Sequence, residues 1–323
     1  RSRSRRRSRS RSRGGRERGR GGRAELDRLI AERQRAAARR PSCRSRSRGG
    51  VPRSGMMTVP LRGPGGGMGP SFGGARPEKN SEGLWEAPRG STGLKLLGEL
   101  LPEGSHQWKY VLQDEGRRSF AAFHPSPFTK DQCKAFFSAI HDGTTWKQPQ
   151  GSKGPIPRKT AFMVSPGCSC TYGYGGIQVE AEVYPPWMLQ LMQMTMPRCG
   201  LANPVDWPNS CNLNLYENGG MSVGWHSDDE RLFQGKFQDI RIISLSLGAT
   251  RKFEIRANWP EQGEQALQRM MLGDGDLCTM EGMMQKHFQH RVPNEGNVTG
   301  ARINLTWRWV LRHNPQCPAS RRR

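Results

Sequence analysis

Several things are scarce in this 323-residue chain, and each scarcity narrows what it can be. No apolar run approaches the ~18–20 residues that cross a bilayer as a helix, and no secretory h-region is present, so the sequence gives no reason to expect a membrane partner. The eight cysteines (43, 133, 168, 170, 199, 211, 278 and 317) form no paired framework. That spacing argues against a disulfide-stapled secreted scaffold and reads as the reduced thiols of an intracellular protein. Cys168 and Cys170 are the one tight pair, and their spacing is too close for a zinc knuckle. Acids are also few: 28 Asp and Glu stand against 51 Lys and Arg, a formal net charge of +23.

Most of that charge sits at one end. The first fifty residues hold twenty arginines and four acids, +16 of the total, separated mainly by Ser and Gly. A segment with so little apolar surface cannot offset its ordering entropy, so residues 1–93, with the Gly/Pro/Met-rich linker that closes them, are expected to be a disordered arm. The arm mixes Arg/Ser repeats with Arg-Gly-Gly boxes, both of which look like RNA-associated low complexity. Arginine rows bind phosphate by counterion release, and phosphorylation of the interleaved serines would cancel the charge. This points to DNA or RNA as partners, to RNA-processing or nuclear factors through the arm, and to the nucleus ahead of the cytoplasm. A solubility or import tail is the plainer alternative. The island Ala24–Arg40 carries Leu26, Leu29 and Ile30 at helical spacing, too short a stripe for a stable free helix. Arg1 stands where an initiator Met would, which reads as a fragment or a processed chain.

The chemistry is concentrated around W-H-S-D-D-E, residues 225–230. On an extended backbone His226 and Asp228 leave the same face and grip one ion together. A further imidazole would complete the 2-His-1-carboxylate set of non-haem iron(II) oxygenases. His287, His290 and His313 follow the pair, and His290 is the best placed, in a short strand H-F-Q-H-R-V shortly before Arg302 and Arg308. The stretch Arg302–Leu311 alternates: Arg302, Asn304, Thr306 and Arg308 share one face, and Ile303, Leu305, Trp307 and Trp309 the other. Two arginines directed into a cavity suit a dicarboxylate. Asn212, Asn214 and Tyr216 alternate in the same manner with Cys211, Leu213 and Leu215.

Together N-L-Y, W-H-S-D-D-E, S-L-S-L-G-A-T-R-K-F-E-I-R, H-R-V-P and R-I-N-L-T-W-R, in this order, resemble the AlkB family of iron(II)/2-oxoglutarate dioxygenases, in its eukaryotic nucleic-acid repair branch. The likeness covers residues 123–313. It implies Fe(II) on His226, Asp228 and His290, with 2-oxoglutarate and O2 as co-substrates. It puts Arg302 with Tyr216 on the distal carboxylate of 2-oxoglutarate and Arg308 near its other end, assisted by Asn214 and Asn304. For the substrate base it implies Asp229 and Glu230 as carboxylates at the pocket wall. Tyr172, Tyr174 and Phe162 belong to the aromatic lid; Phe162 and Met163 depart from the Trp or Tyr that relatives often carry there.

The expected fold is mainly β with flanking α, a double-stranded β-helix (jelly roll). Six strands are expected: Cys211–Tyr216, Arg241–Leu247, Arg251–Arg256, Asp276–Glu281, His287–Val292 and Arg302–Leu311. Two helices precede them, one N-capped by Thr129 and running through Ile140, one starting at the prolines after Tyr184 with a Met/Leu stripe for the core. Residues 94–122 are a connecting segment, with a small helix among them, and 314–323 a basic tail. The function implied is oxidative demethylation of N-alkylated bases in DNA or RNA: 2-oxoglutarate is decarboxylated to succinate, the N-alkyl carbon is hydroxylated, and an aldehyde leaves. The rivals are a protein or lipid hydroxylase on the same scaffold, and an RNA-binding or splicing-associated protein whose barrel is vestigial.

Overall fold

The structure, a computed structural model, describes residues 76–322 except 106, 152 and 153; the Arg/Ser-rich arm, its island Ala24–Arg40 and most of the linker lie outside the described residues. Alternation between apolar and polar side chains builds two β-sheets here. The larger contains β1 (Lys109–Asp114), β2 (Ser119–His124), β5 (Lys159–Val164), β8 (Ala181–Val183), β9 (Ser210–Tyr216), β11 (Ile240–Gly248), β14 (Leu277–Gly282) and β16 (Arg302–Arg308). Their order is β1-β2-β14-β11-β16-β9-β5-β8, antiparallel except for the β5–β8 edge. The smaller is β10 (Val223–His226), β15 (Phe288–Val292), β12 (Arg251–Ala257) and β13 (Gln268–Leu272), in that order. Two short hairpins, β3–β4 (Gln150–Gly151 and Gly154–Pro155) and β6–β7 (Tyr172–Tyr174 and Ile177–Val179), complete the set. This is the expected jelly roll of β-sheets with flanking helices.

The period of two sorts the large sheet into two faces. Leu213 and Leu215 of β9, Leu245 and Leu247 of β11, and Ile303, Leu305 and Trp307 of β16 pack outward in one cluster with the helices. Helix α1 (Lys130–Asp142) starts at Thr129, whose hydroxyl accepts from Gln132 N while the Gln132 side chain accepts from Thr129 N–H, and it buries Cys133 and Ile140. Helix α2 (Pro186–Thr195) starts at its prolines and buries Met188, Leu191 and Met192, a core role for the methionine stripe. The opposite face carries Asn212, Asn214, Asn304, Thr306 and Arg308 toward the space between the sheets. Apolar residues of both sheets close the rest of that space, among them Tyr216, Ile242, Phe253, Ile255 and Met280.

Three boundaries differ from expectation. Residues 94–122 are more than a connector: after a 3-10 turn at Leu97–Leu100, β1 and β2 form a hairpin that extends the large sheet by pairing β2 with β14. The catalytic domain expected to begin at residue 123 therefore takes in a strand that 123 would cut. Gly282 allows that junction, because with φ +74° its missing Cβ would lie 2.1 Å from the carbonyl oxygen of Arg118. The last strand ends at Arg308, since the Leu311 and Arg312 N–H groups turn away to the Leu232 carbonyl. His287 ends a helical turn, Met284–His287, and β15 starts only at Phe288.

Candidate active site

His226 is the last residue of β10 and lies opposite His290 of β15 in antiparallel register. The imidazole centroids are 4.2 Å apart. Asp228, just past the strand end, points back between them, with Oδ1 3.8 Å from His226 Nε2 and Oδ2 4.0 Å from His290 Nε2. One ligand atom from each residue falls within 4.8 Å of the others. His226 Nδ1 is bonded to the Gly224 carbonyl at 2.8 Å, which fixes the ring and turns Nε2 inward. Asp228 is buried, and its N–H donates to Gln285 Oε1 at 2.8 Å. Burial, and then the neighbouring His226, pushes the pKa of His290 down to about 3, so it presents the neutral imidazole that binds metals. Enclosure also lowers the pKa of His226, countered in part by Asp228. The His290 Nδ1 is buried with no hydrogen-bond partner among the described residues. Two neutral imidazoles and one ionised carboxylate, gathered on one side of a cavity, fit Fe(II) with coordination positions left for other ligands. His287 faces elsewhere, its Nε2 2.7 Å from Glu86 Oε1, and His313 belongs to a different cluster.

The triad opens into a cavity of about 640 Å³ between the sheets, within the usual ~300–1,000 Å³ of small-molecule sites. Tyr216, Asn214, Asn304 and Arg308 line it. Arg302, 1% exposed, sits behind Tyr216 with its guanidinium 5.4 Å from the ring centroid, and is not part of the lining. Its Nη2 donates to Ser246 Oγ at 2.7 Å, while Nε and Nη1 have no hydrogen-bond partner among the described residues. Burial lowers its pKa for the same reason. A buried cation with two unused donors is suited to a carboxylate. Asn304 is held by Ser244 Oγ and the Leu245 carbonyl, with Thr306 donating to its Oδ1. Arg308 is already committed: Nη2 pairs with Asp228 Oδ2 at 2.8 Å, and Nη1 donates to the Tyr172 hydroxyl at 3.2 Å.

Of the residues expected to meet a base, Tyr172, Tyr174, Asp229 and Glu230 line the cavity. Phe162 does not; it is 1% exposed and stacks beneath Tyr172, centroids 5.1 Å apart. Its place on β5 backs the wall behind Tyr172, itself 4% exposed, and Tyr174 is the less buried of the two tyrosines. Tyr172 donates to Glu230 Oε1 at 2.6 Å. Burial is the main reason the Glu230 pKa rises to about 7, with Arg308 opposing and Asp228 reinforcing the rise. Asp229 is half-buried and pairs with Lys236.

Arg158 and Trp225 are among the lining residues that escape sequence reading. Arg158 donates from Nε to Asn214 Oδ1 at 2.9 Å and from Nη2 to the Tyr174 hydroxyl at 3.3 Å. It sits in a Lys/Gly/Pro-rich loop, where an arginine looks like any solvated charge. Trp225 carries Arg256 and Arg291 over its ring, 4.3 and 4.5 Å from the centroid. Those arginines come from β12 and β15, a juxtaposition that adjacency in sequence does not reveal.

Residues 121–308 match the model of the 2OG-Fe(II) oxygenase superfamily. The chain belongs to this superfamily. Its members use Fe(II), 2-oxoglutarate and O2, and the His226–Asp228–His290 triad is the arrangement that suits such a site. This oxygenase is similar to human alpha-ketoglutarate-dependent dioxygenase alkB homolog 3, 38% identical over 174 residues, or 51% of this chain and 57% of the relative. The bovine homolog 3 is 34% identical over 189 residues, 55% of this chain and 62% of the relative. The Arabidopsis thaliana protein named DNA oxidative demethylase ALKBH2 is 27% identical over 207 residues, 56% and 63% respectively. The AlkB resemblance of the motifs is thus borne out. The chain spans somewhat more than half the length of these relatives.

Proposed function

We propose that this oxygenase demethylates N-alkylated bases in DNA or RNA. The observation that carries the proposal is the cavity wall: the cavity into which the triad opens is also lined by Tyr172 and Tyr174 and by the carboxylates of Asp229 and Glu230. A planar base carrying positive charge, such as 1-methyladenine or 3-methylcytosine, presents two faces to stack and a cation to compensate. An iron ion with 2-oxoglutarate and O2 supplies the oxidation of the alkyl carbon when bound. The chain's own residues do the rest. His226, Asp228 and His290 hold the ion, and Arg308 keeps the Asp228 carboxylate ionised and oriented. Arg302, with two unused buried donors, takes the distal carboxylate of 2-oxoglutarate beside Tyr216. The tyrosine hairpin β6–β7 shields the reacting carbon from water and holds the base at a fixed depth.

The name of the Arabidopsis relative, DNA oxidative demethylase, supports a nucleic-acid substrate, and so does the Arg/Ser-rich arm, whose composition suits phosphate binding and a nuclear location. The test is aldehyde release from oligonucleotides bearing 1-methyladenine or 3-methylcytosine, given as single strands, duplexes and RNA, with succinate measured in parallel. Succinate and aldehyde appearing together only with the methylated base is the expected result. Succinate formation that no methylated base stimulates would overturn the reading and favour a protein hydroxylase.

A further inference from the structure

A second group of ligating side chains lies apart from the iron triad. The Cys168–Cys170 pair, too close for a zinc knuckle by itself, meets His313, 143 residues after Cys170, and Cys317, both from the chain beyond the last strand. The Nδ1 of His313 lies 3.6 Å from Cys168 Sγ, 3.5 Å from Cys170 Sγ and 3.4 Å from Cys317 Sγ. Cys317 Sγ lies 3.8 Å from Cys168 Sγ, and all four atoms are within 4.8 Å of one another. All three cysteines are buried, at 8%, 0% and 1% exposure.

These separations are diagnostic. A tetrahedral ion with metal–sulfur lengths of about 2.3 Å and a metal–nitrogen length of about 2.0–2.1 Å would place sulfurs about 3.8 Å apart and sulfur and nitrogen about 3.6 Å apart. The observed edges match that tetrahedron. Buried cysteines that merely fill space have no reason to share one imidazole nitrogen at nearly equal distances. A disulfide needs about 2.05 Å between sulfurs and would leave a third thiol and the imidazole unexplained. Backbone N–H groups also point at the sulfurs: Ser169 N donates to Cys317 Sγ and Asn314 N to Cys170 Sγ, each at 3.3 Å. Such donors suit sulfur carrying negative charge.

We infer that Cys168, Cys170, His313 and Cys317 form a structural zinc site, closed by four protein ligands. Three thiolates and one imidazole select Zn²⁺ over the harder iron(II) of the triad, so each ion has its own site. The site clamps together two segments that share one apolar cluster. One is the loop that leads into β6, where Cys170 lies two residues before Tyr172; the other is the chain after β16. The zinc thereby anchors the hairpin whose Tyr172 hydroxyl is shared by Glu230 and Arg308. The segment 314–323 is accordingly more than a basic tail, because Cys317 fastens it to the fold.

The test uses the full chain carrying His226→Ala and Asp228→Ala, so that zinc has no place in the triad. The protein is incubated with excess zinc chloride, freed of loose metal by gel filtration and assayed by mass spectrometry of the metal. About one zinc per chain is expected, falling at least tenfold when Cys170→Ser and Cys317→Ser are added. Because those cysteine variants can misfold, X-ray absorption at the zinc edge is recorded on the parent with its cysteines intact. Three sulfurs at about 2.3 Å and one nitrogen at about 2.0–2.1 Å are expected. Less than a tenth of an equivalent of zinc in the triad variant, an edge fitted by nitrogen and oxygen alone, or a Cys168–Cys317 disulfide in freshly purified protein would each overturn the inference.

Discussion

Arg308, from the large sheet, pairs through Nη2 with Asp228 at 2.8 Å, the carboxylate that joins two histidines of the small sheet. The same guanidinium faces Glu230 at 3.9 Å and the Tyr172 hydroxyl at 3.2 Å, so one cation serves two buried acids. Burial alone would raise the Asp228 pKa; the charge of Arg308 above all brings it below the ordinary carboxylate value. Arg308→Met leaves both acids without their cation, and one proton shared between them relieves the repulsion. Binding of redox-inert Mn²⁺ is expected to weaken by roughly 10–100-fold, the usual cost of losing a partner behind a metal ligand. Titration calorimetry measures it, and an unchanged Mn²⁺ affinity would show that Arg308 does not support the ligand.

Arg302 presents a different balance, since its guanidinium is buried with two donors unused. A buried cation without a full set of acceptors costs stability, and replacement by an apolar side chain of similar length often restores it. Arg302→Met should therefore raise the melting temperature of the ligand-free protein, or leave it unaltered. The same variant should lose the further rise that 2-oxoglutarate gives the parent, and KM for 2-oxoglutarate should increase by roughly 10–100-fold, the loss of about 1.4–2.8 kcal/mol of charge-assisted bonding. A 2-oxoglutarate shift of equal size in both proteins would place the co-substrate elsewhere.

Glu86 ties the segment before the barrel to the turn that leads into β15, with Lys286 Nζ at 2.6 Å and His287 Nε2 at 2.7 Å. Burial opposes its ionisation, but hydrogen bonds and charge from His287 and Lys286 prevail and lower its pKa from 4.5 to about 2. A carboxylate whose pKa is lower in the folded state adds stability that is fully present above pH 4.5 and is lost as pH falls toward 2. The ceiling on that contribution is about 3 kcal/mol. Glu86→Gln is expected to destabilise the protein by about 1–3 kcal/mol at pH 7, with a gap to the parent that narrows below pH 4.5. Urea unfolding at several pH values reads it, and a pH-independent gap would mean the cost is packing and not charge.

The parts of this fold that were legible in the sequence are those where one strand carries both faces of the argument. β9 and β16 alternate Asn and Arg with Leu, Ile and Trp, and the structure separates these onto the cavity and the helix side as the pattern implies. The β1–β2 hairpin was missed because its inner strand, Ser-Phe-Ala-Ala-Phe-His, is buried almost throughout and shows no alternation. β13 was missed because Gln-Arg-Met-Met-Leu favours a helix by propensity, and only pairing with β12 makes it extended. At the site, His226 and Asp228 are neighbours in sequence and announce themselves. The cluster of Cys168, Cys170, His313 and Cys317 does not, because its two halves are joined by tertiary structure alone.

The last prediction concerns the acid that follows Asp228. Asp229 lines the cavity and is half-buried, and Lys236 pairs with it from a more exposed position. If Asp229 compensates the charge of a methylated adenine or cytosine, Lys236 competes with the substrate for the same carboxylate. Exposed pairs of this kind contribute only about 0–1 kcal/mol, so a cationic base that excludes water from the pocket can displace the lysine. Asp229→Asn keeps an acceptor for an exocyclic amine but removes the charge. Turnover of 1-methyladenine and 3-methylcytosine is expected to fall about tenfold or more, with neutral 1-methylguanine or 3-methylthymine affected by no more than about two- to threefold. Lys236→Met should act in the opposite direction, releasing Asp229 and raising kcat/KM for the cationic bases by about two- to fivefold at low salt while leaving the neutral ones level. Both are read as the ratio of kcat/KM for cationic and neutral bases in the same oligonucleotide. Equal losses on all four bases in Asp229→Asn, together with no change of ratio in Lys236→Met, would assign this ion pair to the loop and leave Glu230, bonded to Tyr172, as the acid that meets the base.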